Sequence, residues 1–363
     1  MPPNWTLKQL LALTFIKGIK YSGIRDIVER YPSLEDFAAA RESSGQGSID
    51  GIIFGGSLSS YYKLADEQIQ MCEESASRIV TIWDDDYPPL LRYILYPPPM
   101  LFIKGDFKPL DRKLIAIVGT RKCTTYGKLC AERFAAEFAA NGIVVVSGLA
   151  YGIDTTSHMA VVKAGGTTYA VIACGQDRIS PQSSQKNADK IIEAGGAIVS
   201  EYRFGVPARP GYFPQRNRII SGMSDACLVV ESGSRGGSLI TAKFAFDQER
   251  DVFAIPGNIS SQKSEGTNTL IKTNIAMPAL TPGGVLEDLG IDFEKLDFSE
   301  MKIKFDSSEE EMLYNKLSFE PVHIDTLADN TKLDISVILV RLLDLEFKGL
   351  ARQLPGKYYI KAS

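Results

Sequence analysis

Six short apolar runs, most of them rich in β-branched residues, recur between residues 111 and 285. They are LIAIV (114–118), GIVVVS (142–147), TTYAVI (167–172), AIVS (197–200), ACLVV (226–230) and DVFAI (251–255). Helical patterns separate them near 127–140, 155–164, 186–194, 216–222 and 238–248. Strands joined through a crossover helix return to the same end of the sheet and run parallel. Unbroken apolar runs, as opposed to alternating ones, suit strands buried on both faces. This stretch therefore reads as an α/β parallel sheet covered by helices on both sides, with ligands expected beyond the strand C-termini.

The flanks differ in kind. Residues 1–80 form a helical domain in which LKQLLALTFIKGI and SGIRDIVERYPSLEDFAAA place apolar residues three and four apart. The link KGIKYSG resembles the turn of a helix-hairpin-helix, and the acidic balance of the segment favours a small bundle over direct DNA contact. Next comes a connector, 82–106, where Pro88, Pro89, Pro97, Pro98 and Pro99 forbid a long helix. Its alternating apolar residues suggest extended pieces packed on the α/β domain, which spans 81–290. In 305–363, three helical patterns precede a small hairpin, ARQLPGKYYI, as in a winged helix. The last of those helices sets Arg341 and Lys348 against Asp344 and Glu346, so a protein contact or a purely structural role is expected of it.

Charge follows the same division. Residues 1–110 carry 11 Lys and Arg against 14 Asp and Glu; residues 111–285 carry 19 against 14; residues 286–363 carry 10 against 16. A net of −4 thus hides a basic centre between acidic flanks, and distribution matters more than the total for an anionic partner. No apolar run approaches the roughly 20 residues of a membrane helix. The N-terminal stretch reads as an amphipathic helix, not a signal peptide, and the five cysteines form no CxxC pair. Reduced thiols in the cytoplasm are expected. With only His158 and His323, a histidine-based metal site or a Ser-His-Asp triad is disfavoured.

Glycines gather where the strands end: Gly119, then Gly148 and Gly152, then Gly233, Gly236 and Gly237, then Gly257. They bring backbone N–H groups to one rim of the sheet, where helix dipoles favour anions. The dinucleotide fingerprint GxGxxG is missing, since the glycine after Gly119 is Gly127, and no GxxxxGK[ST] occurs. A nicotinamide or ATP enzyme is therefore disfavoured. Arg121 and Lys122 occupy the first turn instead, and a guanidinium beside exposed N–H groups suits a phosphodiester.

The stretch YRFGVPARPGYFPQRNR (202–218) holds Arg203, Arg209, Arg216 and Arg218 and no acid, interleaved with Tyr202, Phe204, Tyr212 and Phe213. Cations that neutralise phosphates and rings that stack on bases are the requirements of a single-strand binder. Four such arginines would give a slope of log K against log salt of roughly −3. Asp154 and Glu201 are better read as a helix cap and an arginine partner than as an acid–base pair, and His158 as a packed histidine. No residue looks like an activated nucleophile.

Together these motifs resemble the DNA-processing protein A family (DprA, also called Smf). The residues that carry the resemblance are IAIVGTR (115–121), VVSGLAYGIDTTSH (145–158), SEY (200–202), FPQRNRIISGMSD (213–225), GSLITA (237–242), VFAIPGN (252–258) and EGTNTLI (265–271). The flanking segments also fit family architectures. The resemblance implies an extended Rossmann-like core with an N-terminal SAM- or helix-hairpin-helix-like domain and a C-terminal winged helix. It further implies a homodimer in the cytoplasm that binds single-stranded DNA and loads the RecA recombinase on it during natural transformation, with no cofactor, no metal and no catalysed reaction. By position, Arg121 matches the family's DNA-contacting arginine and Phe213 its base-stacking aromatic, with Asn217 and Arg218 in the same signature. A lysine found in some members three residues before the phenylalanine is Pro210 here, with Arg209 beside it. Lys122, Gly148, Arg235 and Lys243 complete the candidate contacts. The rival reading is a Rossmann-like enzyme that binds or hydrolyses nucleotides. At the place of the PGGxGTxxE motif of some phosphoribohydrolases this chain has SRGGSLITA, without the glutamate.

Overall fold

The computed structural model describes residues 4–43, 52, 55–109, 112–293, 305–318, 320–348 and 350–361. Helices α1 (Leu7–Leu13), α2 (Tyr21–Arg30), α3 (Leu34–Ser43) and α4 (Leu58–Glu74) form the N-terminal segment. Helix α1 begins with a capping box: the Thr6 hydroxyl accepts the Gln9 amide at 3.2 Å, and Gln9 Oε1 accepts the Thr6 amide at 2.8 Å. Trp5, Leu10, Leu11, Leu34 and Phe37 fill the interior of this segment, and Met100, Phe102 and Phe204 from the α/β domain share that core.

The sheet has nine strands: β1 (Ser77–Thr81), β2 (Met100–Gly105), β3 (Leu114–Val118), β4 (Val144–Ser147), β5 (Thr168–Ile172), β6 (Ala197–Ser200), β7 (Ala226–Val229), β8 (Asp251–Ala254) and β9 (Met277–Pro278). Their order is β1-β2-β6-β5-β4-β3-β7-β8-β9. All pairings from β6 across to β9 are parallel, and β1–β2 and β2–β6 are antiparallel. Helices α5 (Thr125–Ala140), α6 (Ile153–Lys163), α7 (Gln185–Glu193), α8 (Tyr212–Met223), α9 (Gly237–Asp247), α10 (Glu265–Lys272) and α11 (Pro282–Asp288) cover it. Alternate residues of β3 enter different cores, Ala116 and Val118 on one face, Ile115 and Ile117 on the other. The chain winds outward from β3 through β4, β5 and β6 and returns to β7 on the other side of β3, which creates a switch point at their C-terminal ends.

The connector contributes more than packing. Its first part forms a 3₁₀ turn at Leu90–Tyr93 and its end becomes β2, so the parallel sheet acquires an antiparallel edge. The expected boundary at 80/81 falls inside β1, because β1 is held in register by β2 across the proline-rich loop. Tyr87 is fully buried there and donates to the Pro98 carbonyl at 2.7 Å.

The C-terminal segment is α12 (Ser308–Lys316), β10 (Val322–His323), α13 (Ile324–Thr331), α14 (Ile335–Phe347), β11 (Ala351–Leu354) and β12 (Tyr358–Lys361), with an antiparallel sheet in the order β10-β12-β11. The two cations toward the end of α14 are held within the segment, while Arg352 of β11 reaches Glu132 of α5 at 3.3 Å. Arg341 pairs with Glu309 at 3.0 Å and Asp344 at 3.3 Å, and Lys348 with Asp306 at 2.8 Å and Glu310 at 2.6 Å.

Candidate nucleic-acid interface

The loops after β3, β4 and β5 and the N-terminus of α8 meet at the C-terminal rim. They enclose a small open cavity of about 80 Å³ lined by Arg121, Gly148, Ala150, Tyr151, Ser180, Pro181 and Phe213. Arg121, from the β3 loop, is exposed and reaches over Phe213, with its guanidinium carbon 5.4 Å from the ring centroid. A cation above a half-buried aromatic face leaves N–H donors for a phosphate and ring surface for a base. Across the cavity Tyr151 is 52% exposed, and its hydroxyl shares a hydrogen bond of 2.7 Å with Ser183 Oγ.

The neighbouring helix terminus is closed. In dinucleotide-binding folds the N-terminus of the first crossover helix receives the phosphate. Here that helix is α5, and the buried Glu231 carboxylate from the end of β7 already occupies the place. Its Oε2 accepts the Thr124 amide at 2.8 Å and its Oε1 accepts the Thr124 hydroxyl at 2.6 Å. A side chain at Gly127 would place Cβ 2.7 Å from Glu231 Oε2, so the glycine is needed to admit the carboxylate. A fixed anion bound by the helix terminus excludes a second one by charge and by volume. The exposed cation that lines the cavity is instead Arg121.

The 202–218 run divides in a way its composition does not reveal. Of its four arginines only Arg209 is exposed, with its guanidinium 5.9 Å from the Tyr212 ring. Arg203 donates to the Thr14 carbonyl at 2.8 Å and lies 3.7 Å over the Phe15 ring, joining the helical segment to the core. Arg216 is buried, and its Nη1 donates to the carbonyls of Gly148, at 2.7 Å, and Val171. Arg218 makes a 2.5 Å ion pair with Glu201, its side chain 16% exposed. Arg218, expected among the DNA contacts, is held here by Glu201: a cation at this depth needs a fixed counter-charge, and Glu201 supplies it. Tyr202 and Phe204 are likewise core residues, Phe204 packing edge-on against Phe102. Tyr212 stacks on Tyr202 with centroids 4.5 Å apart.

The buried acids and histidine next to the cavity behave as supports. Asp154 is the second residue of α6 and does not cap it; its Oδ2 accepts the amides of Gly148 at 3.2 Å and Ala150 at 3.4 Å and shapes the β4 loop. Burial raises its carboxyl to about 6, opposed by Arg216 and by those amides. His158 is fully buried against Thr168, and burial, with Arg216 nearby, lowers it to about 3, so it is neutral at pH 7. Glu201 holds an arginine, as its sequence position suggested. Among the described residues no group of three His, Cys, Asp or Glu could hold a metal, and no helix is long and apolar enough to cross a membrane.

Comparison with known proteins places this geometry. DNA recombination-mediator protein A matches residues 78–290, and the DprA winged helix domain matches residues 301–357. The chain belongs to the DNA recombination-mediator protein A family. The Smf protein of Escherichia coli is 33% identical over 292 residues, covering 79% of this chain and 78% of that protein. DNA processing protein DprA of Bacillus subtilis is 35% identical over 242 residues, covering 66% and 81%. Among solved structures, DNA processing protein A of Streptococcus pneumoniae aligns with a TM-score of 0.59 at 32% identity, covering 80% of this chain and 94% of that one. The Helicobacter pylori protein, solved to describe its single-stranded DNA binding, aligns with a TM-score of 0.54 at 28% identity, covering 60% and 97%.

The remaining candidates occupy several elements of this family scaffold. Lys122 is exposed beside Arg121, and its amide donates to Thr120 Oγ1 at 3.3 Å. Asn217 is half-buried and accepts from Arg216 Nε at 3.2 Å. Gly148 lines the cavity with its backbone, but its N–H and C=O are already bonded to Asp154 and Arg216. Arg235, on the β7 loop, and Lys243, on α9, are exposed and lie outside the cavity lining. Sequence reasoning missed Tyr151 and Ser180. An aromatic inside the glycine turn SGLAYGID was the available signal for Tyr151, because an exposed ring in a tight turn has no core to fill. Ser180 lies far along the loop after β5, and no sequence signal marks it.

Proposed function

We propose that this chain binds single-stranded DNA along the C-terminal rim, protects it, and loads RecA on it during natural transformation, without catalysing a reaction. The pair that carries this reading is Arg121 over Phe213: one phosphate is held by the guanidinium and one base rests on the ring. Lys122, Arg209 and Asn217 extend the contact near the cavity, and Arg235 and Lys243 offer phosphate contacts outside its lining. Family membership and the single-strand binding described for the H. pylori relative support the ligand class. Work as a homodimer in the cytoplasm, with no cofactor, is part of the same proposal.

A nucleotide-processing enzyme is disfavoured by Glu231, whose carboxylate stands where the nucleotide phosphate would bind to α5. The deciding measurement is fluorescence anisotropy with a labelled oligo-dT strand and its duplex across a salt series. Tighter binding of the single strand with a negative salt slope is expected. Equal or tighter duplex binding would move the site to another surface, and no binding at low salt would remove DNA as the ligand.

A further inference from the structure

One buried side chain ties together three of the elements that carry the cavity wall. Arg216 is 4% exposed and lies one helical turn beyond Phe213 on α8, so the two side chains share a face. Its guanidinium donates to the Gly148 carbonyl at 2.7 Å, which fixes the β4 loop that carries Ala150 and Tyr151. It also donates to the Val171 carbonyl at the end of β5, the strand that leads to Ser180 and Pro181. A Cβ at Gly148 would stand 2.5 Å from Arg216 Nη2, so only glycine lets the loop lie flat on the guanidinium.

We infer that Arg216 is a positioning residue for the DNA site: it bolts α8 to the loop after β4 and to the end of strand β5 and so sets Phe213 beneath Arg121. Stability alone does not account for it. A buried guanidinium gives up its hydration, and an apolar side chain of the same length would fill the space at lower cost. What methionine or lysine cannot do is bridge two carbonyls on different elements with one rigid planar fork. The second arginine of the signature acts from the opposite side, where Arg218 ties α8 to Glu201 after β6. On this account FPQRNR displays the phenylalanine and uses its arginines to aim it.

The inference rests on the single-strand reading above, and the test separates the two. Oligo-dT carrying one 2-aminopurine reports stacking, since its fluorescence is quenched on an aromatic face. Arg216→Lys keeps the charge and loses the fork. It is expected to bind at least tenfold more weakly, and its quenching at saturation to fall to the level of Phe213→Ala, while Arg121→Ala retains quenching. Arg216→Met is expected to weaken binding with the salt slope unchanged. Wild-type affinity and quenching in Arg216→Lys would overturn the inference, as would a slope shallower by about 0.7 in Arg216→Met, which would make Arg216 a direct phosphate contact. If Arg216→Met does not fold, Gly148→Ala, which presses the loop off the guanidinium, is expected to reproduce the loss of quenching; full quenching in it would count against the inference. Unchanged binding in both Arg121→Ala and Phe213→Ala would instead remove the single-strand site itself.

Discussion

The Glu231 carboxylate binds both the amide and the hydroxyl of Thr124, at 2.8 and 2.6 Å, and so fills the terminus of α5 from within. Charge-assisted hydrogen bonds of this kind contribute about 1.5–3 kcal/mol each to stability when neither partner is left bare. Glu231→Ala is expected to lower unfolding stability by about 2–4 kcal/mol, read by urea denaturation. The wild-type protein is expected to show no thermal shift with ADP or NAD. A saturable shift with either would revive the nucleotide enzyme.

Arg121 and Phe213 act on different parts of a strand, and their variants separate accordingly. Arg121→Ala is expected to make the salt slope for oligo-dT shallower by about 0.7, the value for one phosphate on a single strand. Phe213→Ala is expected to lose about 1–3 kcal/mol of affinity with the slope unchanged. Anisotropy titrations at four salt concentrations check both. With Arg203, Arg216 and Arg218 bonded inside the protein, the run is expected to contribute one phosphate contact, Arg209, to the salt slope, not four.

The Glu201–Arg218 pair belongs to the fold. Removing one partner leaves a buried charge without its counter-ion, so Arg218→Ala is expected to cost about 3–5 kcal/mol of stability. Replacing both at once, as Glu201→Gln with Arg218→Met, is expected to cost less than either truncation, because no unpaired charge remains. Urea denaturation of Glu201→Gln, Arg218→Met and the double variant measures the coupling. A double variant as unstable as the sum of the singles would show that the two side chains act independently.

Two buried groups give opposite pH dependences. His158 is lowered from 6.5 to about 3, so the stability linked to it is whole above pH 6.5 and is lost as pH falls toward 3. Asp154 is raised from 3.8 to about 6, so its burial lowers stability above pH 6, and that loss is regained as pH falls to about 4. Each slope is about 1.4 kcal/mol per pH unit, and between pH 6 and 4.5 they oppose. His158→Gln removes the first. Its stability relative to the wild type is expected to rise by about 2 kcal/mol between pH 6 and pH 4.5, followed by denaturant titration at both values. A constant difference would mean that His158 takes up its proton in the folded state.

The winged helix is expected to be dispensable for strand binding. Its cations Arg341 and Lys348 are held by Glu309, Asp344, Asp306 and Glu310, and α14 turns Leu339, Leu343 and Phe347 outward in their place. A chain lacking residues 305–363 is expected to bind oligo-dT with an affinity within about threefold of the full chain. A loss beyond tenfold with the core still folded would place the site in the wrong segment.

The sequence by itself determined the architecture of residues 111–285. Six β-branched runs and the helices between them appear where their periodicity put them, because burial on both faces leaves a strand no freedom to be anything but continuously apolar. It also singled out Arg121 and Phe213, which the structure brings together at the cavity, since a glycine turn after a strand and a short aromatic–arginine signature are local features. The partition of the 202–218 run was decided only in three dimensions. Arg203, Arg209, Arg216 and Arg218 are the same residue type in one short stretch, yet they meet, in turn, the helical segment, solvent, one loop and one strand carbonyl, and Glu201. Glu231 was equally unreadable, because its partner Thr124 is 107 residues away in the chain. A guanidinium can serve a phosphate, a carbonyl or a carboxylate equally well, and which of them it finds depends on contacts between elements that share no sequence neighbourhood.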